Sequence, residues 1–251
     1  MIRYAIPSYN RPESITQRTG KTLVDAGVDP STVDVYVAGE EQAELYGAPV
    51  RSMGFSLRLT TKGVREARNT IHSSYEDGTQ LVVLDDDLNG LLRKVNDKKV
   101  APVEDLPRLA GKAFREVRSR GLGFWGIYPT ANAMFMKHRS GFGLRFCIGQ
   151  MYGIVISSPH VVLECETKED YELSLIHYLR DGAVMRMDYI AAKSKVYSGE
   201  GGLQSDGADA RKMKDLRSIR KLTRRYPELV RMKTTKSAYP EISLARKEWK
   251  R

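Results

Sequence analysis

Short apolar runs alternate with amphipathic stretches along this chain. The runs have the length and β-branched content of strands and lie at residues 3–6, 33–37, 49–53, 81–84, 124–128, 151–156 and 189–197. Apolar residues with helical spacing predict helices at residues 12–26, 40–47, 63–77, 106–120 and 168–181, and a further helix after Asp206. Strands that alternate with helices indicate an α/β fold with a mixed, mostly parallel sheet flanked by helices.

The run at 81–84 ends in three consecutive aspartates, Asp85, Asp86 and Asp87. An uninterrupted apolar run predicts a strand buried on both faces, so the carboxylates must lie at its C-terminal edge, where open α/β sheets bind ligands. Strand alternation predicts that Asp85 and Asp87 point to one side and Asp86 to the other. Two neighbouring carboxylates suit Mg²⁺ or Mn²⁺, while an acidic surface turn is the alternative.

The composition is that of a globular protein. Of 251 residues, 41% are hydrophobic and 29% are charged, which suits one large α/β domain or two small ones. No signal-peptide core precedes the first strand-like run, and no apolar stretch has membrane-spanning length, so we expect a soluble, cytoplasmic protein without a membrane partner. Cys147 and Cys165 lie in hydrophobic surroundings without CxxC spacing, which indicates core residues rather than a disulfide or a zinc site.

The net charge of +10 is concentrated at the C-terminal end. Residues 211–251 contain 15 Lys and Arg against 4 Asp and Glu, which leaves the first 210 residues close to neutral. We expect a main domain at 1–205 and a basic helical segment at 206–251 packed on it, with Met213, Leu216 and Ile219 as the apolar line of the helix. The charge favours a polyanionic partner, nucleic acid first and an anionic membrane surface second, while a solvated helix face is the alternative.

Two other stretches could approach a ligand. Arg65 and Arg68 are neighbours at the start of a predicted helix, although paired arginines alone are typical of an exposed, solubilising face. The glycine-rich segment 198–205 allows close approach to a ligand or movement over it. The chain has no P-loop sequence and no GxGxxG fingerprint.

Four motifs, in this order, resemble those of GT-A glycosyltransferases. They are Ile6-Pro7-Ser8-Tyr9-Asn10-Arg11, Ala67-Arg68-Asn69 at a helix start, Asp85-Asp86-Asp87 after a strand, and Lys168-Glu169-Asp170 at a later helix start. The resemblance implies a Rossmann-like GT-A fold, a UDP-sugar donor and a divalent cation, Mn²⁺ or Mg²⁺. It implies that the nucleotide-sugar is bound by Ser8, Tyr9, Arg11, Glu40, Arg65, Arg68, Asn69 and Asp86, and the cation by Asp85 and Asp87.

The same resemblance implies a catalytic role for Asp170, since inverting members of the family have a general base at the start of this helix. An acceptor hydroxyl has a high pKa and needs a positioned carboxylate to take its proton as the new bond forms. The alternative for Asp170 is a purely structural acid that interacts with the helix dipole.

In length and in its Ile-Pro-Ser-Tyr and Leu-Asp-Asp-Asp pieces, the chain is also similar to phage DNA glycosyltransferases associated with TET enzymes. That similarity implies sugar transfer to the hydroxymethyl group of 5-hydroxymethylcytosine in duplex DNA, in the host cell cytoplasm. The target base must be flipped or exposed, and basic side chains would hold the surrounding phosphates. The candidate DNA-binding residues are Arg217, Arg220, Lys221 and Arg224.

Three other functions remain open from the sequence. A glycosyltransferase could act on a lipid-linked or polysaccharide acceptor, with the basic helix on anionic headgroups. A nucleotidyltransferase with a related α/β core would release pyrophosphate from a nucleoside triphosphate. A non-enzymatic DNA-binding protein would explain the basic segment but would give the aspartates no role.

Overall fold

A computed structural model of the protein describes residues 1–193, 208–233 and 240–249. The strands are β1 (Ile2–Ser8), β2 (Val33–Ala38), β3 (Ser56–Thr60), β4 (Gln80–Leu84), β5 (Leu91–Lys94), β6 (Val100–Pro102), β7 (Phe124–Tyr128), β8 (Ser140–Leu144), β9 (Met151–Val155), β10 (Val184–Ala192), β11 (Val230–Lys233), β12 (Glu241–Leu244) and β13 (Lys247–Glu248). The helices are α1 (Pro12–Gln17), α2 (Thr19–Asp25), α3 (Gly39–Ser52), α4 (Val64–Ser73), α5 (Leu106–Arg118), α6 (Glu169–Asp181) and α7 (Ala208–Arg225).

The main sheet is mixed and has the strand order β13-β8-β10-β7-β9-β4-β1-β2-β3. Strands β4, β1, β2 and β3 are parallel, β7 and β10 run in the same direction, and β9 and β8 run opposite to them. The short strands β5 and β6 extend from β10, while β11 and β12 form a separate hairpin. The predicted α/β class, with a mostly parallel sheet flanked by helices, is confirmed.

Strand β4 is buried on both faces, as its apolar sequence predicts. Val82 and Leu84 pack into the core under α5, which contributes Phe114. Leu81 and Val83 pack into the core under α4 and α6. Fully burying each of these side chains contributes about 1.5–3 kcal/mol, so the middle of the sheet fixes where β4 must end. It also follows that α5 and α6 lie on opposite faces of the sheet.

The strand predicted at 49–53 is wrong, because these residues continue α3 to Ser52. Gln42, Tyr46 and Val50 are buried at four-residue spacing, and this helical face outweighs the proline at position 49 within the helix. The third strand is instead β3, a half-buried edge strand that starts at Ser56.

The single helix predicted at 12–26 is two helices, α1 and α2, that meet at Arg18. The break is tight at Gly20, where an added Cβ would lie 1.8 Å from the carbonyl oxygen of Ile15. Only glycine fits at that position without a backbone shift. The break brings Thr19, the first residue of α2, next to the end of β4.

Helix α6 begins at Glu169, one residue after the predicted start. The cap residue is Lys168, in the left-handed conformation with a φ of 60°. The hydroxyl of Thr167 lies 3.3 Å from Ser218 Oγ on α7 and so links the two helices.

Helix α7 packs on α6 through an apolar line that shares Ile219 with the predicted one but not Met213. Met213 is 54% exposed, whereas Ile219 and Leu222 are buried with Leu175 of α6. The glycine-rich segment 198–205, the end of the strand predicted at 189–197 and Asp206 lie outside the described residues. Within the described ranges, no helix is both long and apolar enough to cross a bilayer.

Candidate active site

The three aspartates follow β4 beside the C-terminal end of its parallel neighbour β1. Thr19 fixes this turn: its hydroxyl donates to the carbonyl of Asp85 at 2.7 Å and accepts from the amide of Leu88 at 2.9 Å. The amide of Asp85 donates to the carbonyl of Gln150 at 3.0 Å. The aspartate turn is therefore held by α2 and by the segment before β9, and the sequence pattern indicated neither contact.

Asp86 is buried and holds two of the predicted nucleotide-binding residues. Ser8 Oγ donates to Asp86 Oδ2 at 2.5 Å, and Arg11 Nη2 lies 2.7 Å from Asp86 Oδ1. Burial raises the pKa of Asp86 to about 6, although the Arg11 charge and the Ser8 hydrogen bond oppose the shift. Asp86 therefore fixes the positions of the Ser8 and Arg11 side chains, and these two side chains form the surface next to Asp86.

The loop after β1 is fixed by two residues of α3 that sequence reasoning missed. The amide of Asn10 donates to Gln42 Oε1 at 2.9 Å, and Gln42 Nε2 returns a bond to Asn10 Oδ1 at 2.7 Å. Tyr46 Oη accepts from the amide of Arg11 at 2.8 Å and lies 2.7 Å from Ser8 Oγ. The signal in the sequence was the buried Gln42–Tyr46 spacing, which becomes visible only once α3 is placed beside β1.

Two other predicted contacts lie near this loop. The Tyr9 ring is half-buried. Lys62 Nζ lies over one face of this ring, 4.9 Å from the ring centroid. Glu40 is exposed at the start of α3, whereas Gln42, two residues later and buried, is the residue that contacts the loop.

Arg68 is buried on the other side of the aspartate turn and joins Asp85 to α6. Its Nη2 donates to Asp85 Oδ1 at 3.1 Å and to the carbonyl of Gly149 at 3.2 Å, and it lies 3.5 Å from Glu169 Oε1. A Cβ on Gly149 would come within 2.7 Å of the guanidinium, so glycine allows this approach. Burial raises the pKa of Asp85 to about 7 despite the Arg68 charge.

Asp170 lies in the first turn of α6, next to the same arginine. The amide of Tyr171 donates to Asp170 Oδ1 at 2.9 Å, and the amide of Gly149 lies 3.4 Å from Oδ2. Burial, reinforced by the negative charge of Glu169, raises the pKa of Asp170 to about 7, and Arg68 opposes the shift. A carboxylate with a pKa near neutrality is suited to general base catalysis.

Two residues of the predicted nucleotide-binding set are engaged elsewhere. Arg65 forms an ion pair with its neighbour Glu66 and donates to the carbonyl of Glu164 at 3.3 Å. Both amide atoms of Asn69 bond the backbone of Leu163, at 2.9 Å to its carbonyl and 2.8 Å from its amide. Asn69 therefore positions the loop before α6, and the structure does not bring it to the aspartates.

The aspartates offer part of a site for a divalent cation. Asp87 lies 3.7 Å from Arg11, the residue that also pairs with Asp86. Its negative charge adds to burial in raising the pKa of Asp85, so it also lies near that carboxylate. The Asp85 and Asp87 side chains are 34% and 28% exposed and so remain open to a ligand. Among the described residues, no three His, Cys, Asp or Glu side chains form a metal-binding group.

This donor set fits a cation that arrives together with its nucleotide. Mg²⁺ is commonly bound by one or two carboxylates and completes its shell with water and substrate phosphates. Arg68 adds to the fit, because its Nε and Nη1 are buried without a hydrogen-bond partner among the described residues. The aspartates and Arg68 are thus compatible with a bound metal and diphosphate.

We expect Arg68→Leu to lower the free energy of unfolding by about 3 kcal/mol at pH 7.5, because Asp85, Glu169 and Asp170 lose their shared buried counterion. The loss should shrink at pH 5, since both aspartates have pKa values raised to about 7 and are protonated there. Urea unfolding at the two pH values measures the effect. Arg68→Lys, which keeps the charge, is the control, and an equal loss at both pH values would contradict the expectation.

The predicted DNA-binding residues on α7 are exposed, and acidic residues pair with two of them. Arg217 lies 3.3 Å from Glu166, and Lys221 lies 2.6 Å from Glu164. Arg220 and Arg224 have no ion pair within the part of the chain that the structure describes. The basic face of α7 is therefore partly neutralised by the loop before α6.

Comparison with solved structures identifies the fold type. The structure resembles glucosyl-3-phosphoglycerate synthase from Mycobacterium tuberculosis in complex with Mn²⁺, UDP and glucosyl-3-phosphoglycerate, with a TM-score of 0.54 and 11% identity over 98% of this chain and 87% of that chain. It also resembles residues 1–349 of S. aureus TarS in complex with UDP, with a TM-score of 0.53 and 13% identity over 76% of this chain and 59% of that chain. Both neighbours are GT-A glycosyltransferases. The chain has the GT-A fold.

At these identities the similarity establishes the fold, and it confirms the predicted GT-A architecture. This chain spans 59% of the TarS chain. A scan against family models gives no match to the sequence, and a search of curated proteins gives none either. Within the GT-A fold, the aspartate turn lies at the C-terminal edge of the parallel strands, which is where open α/β sheets bind ligands.

Proposed function

We propose that this protein is a metal-dependent glycosyltransferase that uses a UDP-sugar as donor. The observation that supports it most is the convergence of Asp85, Arg68 and Asp170 at the C-terminal edge of the GT-A sheet. The two structural neighbours named above were crystallised with UDP, one of them also with Mn²⁺. A pure DNA-binding protein would have no use for two partly buried acids whose pKa values are raised to about 7.

In the proposed site, the loop after β1 binds the nucleoside part of the donor. Ser8 and Arg11 are already oriented by Asp86 and Tyr46, so little side-chain ordering is needed when the nucleotide binds. The half-buried Tyr9 ring offers a surface for the base. Glu40 is exposed at the N-terminus of α3 and is a second candidate for the base contact.

Asp85 and Asp87 would hold Mn²⁺ or Mg²⁺ with the diphosphate, and Arg68 offers its two unpartnered nitrogens to the same anion. When bound, the cation supplies positive charge that stabilises the departing UDP. Asp170 accepts the proton of the acceptor hydroxyl as the new glycosidic bond forms, and its raised pKa keeps that proton transfer favourable near pH 7. The buried Glu169 charge sustains this raised pKa.

We propose 5-hydroxymethylcytosine in duplex DNA as the acceptor, with its hydroxymethyl oxygen as the nucleophile. The proposal is supported by the resemblance to phage DNA glycosyltransferases and by the basic surface of the chain. On α7, Arg220 and Arg224 are exposed cations that could contact phosphates, with Arg217 and Lys221 beside them in ion pairs. The same resemblance supports a reaction in the cytoplasm of an infected host cell.

The test is incubation of hydroxymethylated duplex DNA with Mn²⁺ and each of several UDP-sugars, followed by mass spectrometry of the nucleosides. We expect a nucleoside heavier by one sugar residue, with release of UDP and without release of pyrophosphate. Pyrophosphate release from nucleoside triphosphates would instead identify a nucleotidyltransferase. Transfer to a polysaccharide or a lipid-linked acceptor, with unmodified DNA, would retain the donor chemistry and overturn the DNA acceptor.

A further inference from the structure

Cations from separate parts of the main domain come together in a groove on the α5 face of the sheet. The groove lies between α5, β5, β10 and the start of β8 and has a volume of about 860 Å³. We call it the α5 groove. Its cationic lining consists of Arg93, Lys94, Lys112, Arg115 and Arg139. These positions are spread over residues 93–139, a basic stretch with 11 Lys and Arg against 4 Asp and Glu, and the fold brings five of its cations to one groove.

Most of this positive charge has no acidic partner. Arg93, Lys112, Arg115 and Arg139 are exposed and form no ion pair with any residue that the structure describes. The lining contains one acid, Glu116, and this side chain lies 3.7 Å from Arg120. Within the lining only Lys94 is neutralised, by Asp97 at 2.6 Å. The groove therefore carries an excess of about four positive charges.

A larger share of the cations is paired with acids on α7 than in the α5 groove. On α7, Arg217, Lys221 and Arg225 are paired with Glu166 and Glu164. The two surfaces are also on opposite faces of the sheet, since α7 packs on α6. One straight duplex cannot lie along both, and the groove gathers four unpaired cations around one concave surface.

The loop beside the groove exposes two large apolar side chains. Met134 is 72% exposed and Phe135 is 56% exposed, and the neighbouring Ala133 carbonyl accepts a hydrogen bond from Lys94, which lines the groove. Proteins that kink or open a duplex insert apolar wedges of this type next to their phosphate contacts. An enzyme that acts on a base in a duplex has to open it.

We propose that the α5 groove binds the phosphate backbone of duplex DNA and that Met134 and Phe135 face the base pairs beside it. The proposal rests on the DNA acceptor of the proposed function. A concave, cationic groove matches the convex ridge of a phosphate backbone, whereas a planar bilayer cannot enter it. Arg93 lies on β5, which pairs with the C-terminal end of β10. Strand β10 runs in the same direction as β4, so this end of the groove lies toward the edge of the sheet that carries the aspartate turn.

The test is fluorescence anisotropy of a hydroxymethylated duplex with the full chain and the double variant Lys112→Gln, Arg115→Gln. Losing two phosphate contacts should lower the slope of log affinity against log salt by about 1.8, which corresponds to roughly 30-fold weaker binding near 0.15 M salt. The matched control is Lys21→Gln with Arg231→Gln, which removes the same charge at exposed sites away from the groove. UDP binding, measured by calorimetry with Mn²⁺, reports on the donor site separately.

A loss of duplex affinity confined to the groove variant supports the proposal. An equal loss in the control, or an unchanged affinity in the groove variant, overturns it. Vesicles that contain anionic phospholipid form a second arm, and a groove variant that loses vesicle binding while keeping duplex binding also overturns it. If the protein does not bind UDP but the groove variant still loses duplex affinity, the glycosyltransferase proposal is wrong and the proposal that the α5 groove binds DNA is supported.

Discussion

Asp87→Ala should lower the rate of sugar transfer by about 10³-fold while leaving duplex affinity unchanged. The variant removes one of the two exposed carboxylates at the aspartate turn, and charge stabilisation by a bound cation is worth several kcal/mol, of which about 4 kcal/mol gives this factor. Transfer would be measured under single-turnover conditions over a range of Mn²⁺ concentrations. The variant should also need more Mn²⁺ for half-maximal rate.

The control for this variant is Asp25→Ala, which removes an exposed aspartate from a surface pair with Lys21 on α2. It should transfer sugar at the normal rate, since surface pairs of this type contribute little to stability. If Asp87→Ala keeps its full rate at all Mn²⁺ concentrations, the aspartate turn does not bind the catalytic cation. A parallel loss of duplex affinity would indicate that the turn contacts DNA instead.

Asp170→Asn should lower kcat by about 10²- to 10⁴-fold with little change in UDP affinity, because the amide cannot accept the hydroxyl proton. The neighbouring variant Glu169→Gln is the matched control, since it removes the adjacent carboxylate and leaves Asp170 in place. If Glu169 were the base, the order of the two losses would be reversed.

The dependence of kcat on pH gives this test a second readout. At saturating Mn²⁺ the wild-type rate should rise with pH and level off above about 7, because the raised pKa of Asp170 keeps the base protonated below that value. The Glu169 charge contributes to the shift, so Glu169→Gln should move the rising limb to lower pH. If the rising limb of Glu169→Gln stays at the wild-type pH, the group whose titration controls the rate is not Asp170.

The parts of the fold that could be predicted from the sequence are those in which one segment determines its own structure. The run at 81–84 is apolar throughout, and a strand buried on both faces accounts for it. The prediction for 49–53 was wrong because its apolar residues and Pro49 suit a strand or turn locally, whereas the buried face of α3 is set by β1 and its loop. The helical structure of residues 49–52 is therefore determined by tertiary contacts and not by the local sequence.

The candidate site divides in the same way. Asp85, Asp86 and Asp170 lie in motifs that are continuous in sequence, so the sequence alone was enough to single them out. Thr19 and Tyr46 could not be found in this way, because each acts through a hydrogen bond to a segment far away in the chain. The α5 groove is a further case, since the near-zero net charge of residues 1–210 conceals a local excess at residues 93–139, which contain 11 Lys and Arg against 4 Asp and Glu.

The pairing of Glu164 with Lys221 and Arg225 has a consequence for shortened forms of the chain. Glu164 follows Leu163, whose backbone is bonded to Asn69 of α4, so α4 and α7 are connected through one short loop. A truncated chain that ended before α7 would lose both counterions and uncover the outer side of α6, the helix that presents Asp170. The C-terminal segment therefore stabilises the helix that carries Asp170. Deleting this segment to test nucleic-acid binding would disturb the proposed catalytic residue as well.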